Sequence, residues 1–191
     1  MSEQEWLECT DPQLMLASLE GKSSNRKLRF FACACCRRIW DMIVEADCQR
    51  AIEISEQYAD SKATEQEAHD AMVAAACCTL ENEQIDGFVG YLDDQAMTAV
   101  LNALGLNAKP RYAAEMAATV RFQKKEQETG AQTHLLRDIF GNPFRPVELN
   151  PRWLTPDVTG VAQAIYEERA FDRMPILGDA LMDAGCIACP L

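Results

Sequence analysis

Two C-x-x-C pairs, Cys33/Cys36 and Cys186/Cys189, are the residues in this sequence whose spacing first suggests chemistry. Four thiolates can hold zinc tetrahedrally, and such a site stabilises a small fold directly. The pairs stand near opposite ends of the chain, however. Cys33 and Cys36 also fall inside a helical pattern rather than on the tight turn that usually presents two sulfurs to one metal. Buried free cysteine behaves as a small hydrophobe, and that is the first reading of the nine cysteines. A zinc-stabilised domain using Cys33, Cys36, Cys186 and Cys189 is the alternative. A thiol nucleophile would need a base and a lowered pKa. The only histidines are His69 and His134, and Cys35 and Cys36 sit mid-helix, away from the helix N-terminus that would favour a thiolate. Asp93-Asp94 and Glu167-Glu168 point to different sides of their helices and form no acid–base pair. The sequence contains no phosphate-binding glycine loop, no dinucleotide fingerprint and no H-E-x-x-H. No catalytic residue, metal ligand or cofactor is therefore assigned, and an enzyme using an unidentified cysteine or carboxylate is the second alternative.

A second constellation lies between Leu135 and Trp153, LLRDIFGNPFRPVELNPRW. After Lys125 every basic side chain is an arginine: Arg137, Arg145, Arg152, Arg169 and Arg173. Arginine used to the exclusion of lysine suggests planar, directional hydrogen bonding to carboxylates or carbonyls. Either these arginines pin an irregular segment from within, or they form a partner-binding surface with an exposed aromatic. The residues placed on such a surface are Arg137, Arg145, Arg152 and Trp153. The exposure of Phe144 and Trp153 separates the two readings.

The elements that position these residues read as helices throughout. Asn25 to Val44 carries Leu28, Phe31, Ala32, Cys35, Cys36, Ile39, Met42 and Ile43 on one stripe, widened by Cys33 and Trp40. A helix apolar over more than half its circumference must be surrounded, so it is expected to be central. Thr10-Asp11-Pro12 predicts the start of a short helix presenting Leu14, Leu16 and Leu19, with Trp6 and Leu7 packing back on its cap. Ser23-Ser24-Asn25 caps the central helix. Asp47 is expected to cap a third helix through Tyr58, and Thr64 to Glu67 forms a capping box for a fourth running to Leu80. The fourth has an inner face of Ala68, Ala71, Met72, Ala75, Ala76 and Cys78, small enough for close approach to Ala32, Cys35 and Cys36. Further helices are expected over 86–106, 111–128 with Gly130 just past its end, 133–140 with Gly141 as its stop, 157–169, and 173–184 capped by Asp172, with Gly185 after it. Three prolines interrupt helix between Asn142 and Thr155. The expected fold is all-α: a single irregular helical bundle over 1–191, with an ordered proline-rich crossover at about 141–156 and a short loose tail at 186–191.

With 191 residues and a net charge of −12, one domain is expected. That charge argues against a nucleic-acid or anionic-membrane binder. Between Lys22 and Arg38 there are six basic residues and no acid; from Asp41 to Asp94 there are fourteen acids against Arg50 and Lys62. The basic stretch is expected to lie against its acidic neighbours. The acidic start MSEQEWLE lacks the basic-then-apolar order of a secretory signal, and no apolar run reaches the roughly 20 residues that span a bilayer. The expected compartment is the cytoplasm, where thiols stay reduced.

Four segments, Glu5–Pro12 (EWLECTDP), Arg26–Trp40 (RKLRFFACACCRRIW), Leu135–Pro146 (LLRDIFGNPFRP) and Ala162–Leu177 (AQAIYEERAFDRMPIL), resemble a large, paralogue-rich family of uncharacterised bacterial proteins. The resemblance covers both ends of the chain more than Ala59 to Thr133. It implies a further segment containing His and Cys past the position of Cys186, and it carries no activity. The expectation is a non-catalytic cytoplasmic helical interaction or scaffold module with an unidentified protein partner.

Overall fold

A computed structural model describes residues 1–81, 99–100, 110–121, 124–145 and 149–186. Among these the chain is all-α, with nine α-helices and no strand. They are α1 (Glu3–Glu8), α2 (Pro12–Ser18), α3 (Asn25–Arg38), α4 (Ala46–Ala59), α5 (Glu65–Glu81), α6 (Pro110–Val120), α7 (Lys125–Phe140), α8 (Pro156–Glu168) and α9 (Met174–Asp183). The helix expected over 86–106 lies outside the described residues apart from Ala99 and Val100, which are helical and buried. Contacts divide the chain into two compact units, Met1–Arg145 and Pro146–Leu191, and the boundary falls inside the proline-rich crossover.

In the first unit α3 is central, packing on α4, α6 and α7. Ser24 accepts a hydrogen bond from Lys27 N (3.3 Å) and starts it. Phe31, Ala32, Cys33, Cys35, Cys36 and Ile39 are all buried. Helix α3 packs on α6, where Ala113, Ala114 and Ala117 are fully buried. This corrects the expected pairing with the fourth helix: α5 packs chiefly on α4. Four alanines in α6 (Ala113, Ala114, Ala117 and Ala118) make its buried side as small as that of α5, so size alone did not identify the partner.

Helix α3 stops at Arg38, six residues short of the expected end, and a 3-10 turn follows at Trp40–Met42. No glycine or proline marks the stop. A side chain distant in sequence meets this end. Arg121, just past α6, donates from Nε (3.0 Å) and Nη2 (2.7 Å) to the Arg38 carbonyl, and from Nη2 to Asp41 Oδ1 (2.6 Å). One guanidinium thus satisfies a C-terminal carbonyl and holds the turn beyond it.

At the N-terminus Ser2 and Glu5 make a capping box that forms α1, and Trp6 is fully buried from that helix. Asp11 caps α2 through Gln13 N (2.8 Å) and Leu14 N (3.4 Å), with Pro12 opening the helix. The buried face of α2 is Met15, Leu16 and Leu19, whereas Leu14 is 58% exposed. The face is turned from the expected one because α2 must touch both α6 and α7. Glu45, without a side-chain cap, precedes α4, and Asp47 lies in the first turn, where its charge still favours the helix N-terminus. The Thr64–Glu67 capping box is formed as expected. In place of the helices expected over 111–128 and 133–140, α6 ends at Val120, α7 begins at Lys125, and Gly130 lies inside α7. Sliding the break back brings Glu128, Gln132 and Leu136, spaced four apart, onto one buried stripe. Gly141 ends α7 at φ +69°, a region that side chains rarely adopt.

In the second unit, Asn150 accepts from Arg152 N (3.0 Å) across a 3-10 turn at Pro151–Trp153, and Thr155 caps α8. Arg169, at φ 54°, closes α8, and α9 packs on α8. A 3-10 turn at Phe171–Arg173 carries Asp172, and Arg173 precedes α9 without a side-chain cap. Gly185 at φ +89° ends α9, and Cys186 N donates back to Leu181 O (2.9 Å). Cys186 is therefore buried and tied down, while the rest of the expected tail lies outside the described residues.

Trp6→Ala should cost about 3–5 kcal/mol in urea unfolding, the range for emptying a large buried aromatic site. Leu14→Ala, one helix away, should stay within about 0.5 kcal/mol.

Candidate functional site

The four residues placed on a binding surface do not share one environment. Arg137, on the last turn of α7, donates from Nη2 to the carbonyls of Trp6 (3.0 Å) and Cys9 (2.6 Å). It fastens α1 and the α1–α2 link to α7, and its Nε is buried without a hydrogen bond. Arg145 pairs with Glu3 Oε1 at 2.6 Å but is 77% exposed. Glu3 also accepts from Asn142 Nδ2 (2.7 Å), so the segment after α7 is tied to α1 twice. Both arginines thus serve internal pinning within the first unit. Arg152 and Trp153 belong to the second unit, Arg152 exposed and Trp153 partly so, and Phe144 of the first unit is 37% exposed.

The basic stretch of α3 is spent on its neighbours. Arg26 meets Asp60 Oδ1 (2.8 Å) and the Ala59 carbonyl (2.9 Å), and Arg37 forks onto both Glu56 oxygens at 3.0 and 2.8 Å. Arg29 is buried, donates to Ser55 Oγ (3.2 Å) and lies over the Tyr58 ring. These contacts fit the expected pairing with the acidic segment. Arg38 instead reaches α7, with Nε 2.9 and 3.0 Å from the two oxygens of Glu128. The Glu128 side chain is 0% exposed and also accepts from Gln132 Nε2 (3.2 Å). A carboxylate so buried requires this charge and this donor.

The α3 thiols are embedded in the same packing. Burial pushes Cys33 up from 9.0 to about 11, an effect only partly offset by a hydrogen bond from Ser55. Burial, reinforced by the Glu128 charge, raises Cys35 well above the ordinary thiol value, and burial does the same for Cys36. These thiols are protonated at neutral pH and closed to solvent, the opposite of an activated nucleophile. Among the described residues no three His, Cys, Asp or Glu side chains are grouped to hold a metal ion; Cys189 lies outside them. No described helix is long and apolar enough to cross a membrane.

The unit also contains a polar cleft that the sequence did not suggest. Its walls come from the start of α2, from α6 and from α7, including Gln13, Arg111, Glu115 and Gln132; it is half open to solvent, with a volume of about 540 Å³. Arg111 Nε donates to Gln13 Oε1 (3.2 Å), and Gln13 Nε2 donates back to the Arg111 carbonyl (2.9 Å). No motif marks these residues; only the packing of α2 against α6 and α7 gathers them.

Arg137→Met should cost about 2–3 kcal/mol, because two partly buried carbonyls lose a charged donor. Arg145→Met should cost no more than about 1 kcal/mol, since its pair is open to water. Urea unfolding of both variants checks this. The thiols set a pH dependence. A folded-state pKa above the unfolded value means the folded chain holds the proton more tightly. That stability is complete below pH 9.0 and is lost as pH rises through about 11. The urea midpoint should fall over this range, and fall less in a Cys33→Ala, Cys35→Ala, Cys36→Ala variant.

Compared with known protein families, with curated proteins and with solved structures, the chain matches none.

Proposed function

We propose that the chain is a non-catalytic, cytoplasmic helical interaction module that binds a protein partner through its second unit. The observation that carries this reading is the apolar surface of that unit. Val158, Ile165, Gly178 and Cys186 are buried there, whereas Leu149, Leu154, Phe171, Met174, Ile176 and Met182 are exposed. Solvent-facing aliphatic and aromatic side chains at this density favour a protein partner over a solvated face. Arg152 and the half-exposed Trp153 sit beside Leu154 in sequence and supply the residue types that dominate interface energetics. Arg137 and Arg145 contribute indirectly, by holding the end of α7 to α1. The protonated, enclosed thiols of α3 favour a packing role over a chemical one.

Cross-linked affinity purification from the native cell tests this with wild type beside two double variants. In Phe171→Asp, Met182→Asp and in Arg152→Ala, Trp153→Ala, the changes fall on exposed or half-exposed side chains, so helix content by circular dichroism should be unchanged. A protein captured by wild type and lost from both variants is the expected result. The same partner list from all three would overturn the reading.

A further inference from the structure

The open side of α9 narrows what can cover it. Ile176, Asp179, Met182 and Asp183 stand three or four residues apart, share one side of the helix and are all exposed. Gly178 is buried and Leu177 and Leu181 partly so on the inner side, and α9 packs on α8. Two aliphatic side chains, each just over half exposed, are therefore interleaved with two carboxylates. Helix α9 contains no cation, and Arg173 just before it is already on Glu168 at 2.7 Å. Among the described residues neither Asp179 nor Asp183 forms an ion pair.

A partner that takes Ile176 and Met182 out of water takes Asp179 and Asp183 with them. Carboxylates lose their hydration in such a contact and require cations in return. A second copy of the chain is a poor source of these. The unit Pro146–Leu191 has seven acids against three arginines and no lysine, so two copies would bring together more acid than base. The net charge of −12 likewise draws a basic partner and repels a second copy. We propose that the open side of α9 docks a basic amphipathic helix. Its aliphatic stripe lies on Ile176 and Met182, and Lys or Arg side chains flanking that stripe meet Asp179 and Asp183. This rests on the protein-binding reading of the second unit and names the chemistry of the partner.

Fluorescence anisotropy of labelled synthetic helices against the full chain tests the proposal. The probes are an amphipathic peptide with leucine on one stripe and lysine beside it, its glutamate-for-lysine analogue and its glutamine-for-leucine analogue. The lysine–leucine peptide should bind wild type, and neither analogue should. Asp179→Lys, Asp183→Lys should weaken binding by more than about tenfold, and so should the neutral change Ile176→Gln, Met182→Gln. Glu65→Lys, Asp70→Lys alters the net charge equally at exposed sites on α5 and should leave the affinity within about twofold, which separates local pairing from general attraction. All these changes fall on exposed side chains, so helix content by circular dichroism should be unchanged. No binding of the lysine–leucine peptide, or equal losses from the α9 and α5 charge reversals, would overturn the proposal. A dimer of the chain alone in sedimentation, broken by Ile176→Gln, Met182→Gln, would assign the face to a second copy and overturn it as well. Equal binding of the glutamate analogue would overturn the basic partner while leaving the apolar surface in place. The reading of the second unit as protein-binding falls separately, to an unchanged partner list in the purification above.

Discussion

Helix α3 carries five basic side chains and no acid, yet it packs against three other helices. Arg29 is buried and Glu128, the partner of Arg38, is fully so, and these charges must be compensated inside the fold, whereas Arg26 and Arg37 stay open to water. Arg26 and Arg37 turn to the α4 side, Arg29 goes inward to Ser55 and Tyr58, Lys27 lies over the Phe140 ring, and Arg38 takes the buried Glu128. This fan of cations joins α3 to both α4 and α7. Alanine and cysteine then fill the close seams, because bulkier side chains would push the helices apart and stretch the charge contacts.

Much of this organisation was legible in the chain. The caps at Asp11, Ser24 and Thr64 and the stops at Gly141 and Gly185 are local devices, each satisfying backbone groups within a few residues. The centrality of α3 followed from a stripe too wide for a surface helix. What was not legible depended on contacts far apart in sequence. Arg121 reaches the end of α3 across 83 residues, and α7, beginning at Lys125, carries Glu128 and Gln132 on one buried side. Gly130 looked like a stop because glycine favours helix ends, yet α7 runs through it. The choice between α5 and α6 as a helix packed on α3 could not be made from residue size, since both offer alanine.

The candidate surfaces divide along the same line. Composition singled out the arginines of 137–152, and the bonding geometry separates them: Arg137 spends its donors on backbone, Arg145 shares an exposed carboxylate, and Arg152 faces solvent. The cleft had no sequence signature, because Gln13, Arg111 and Gln132 are ordinary residues at unremarkable spacing. Its one informative atom, the carbonyl oxygen of Gln132, becomes unusual only when burial and bonding are read together.

The tether from Arg121 to the Arg38 carbonyl bears on the order in which the chain is made. During synthesis the residues of α3 leave the ribosome long before Arg121 exists, and the local pattern through Ile43 favours extending the helix. The contact from Arg121 forms only by closing a loop of more than eighty residues, a step that local propensity does not govern.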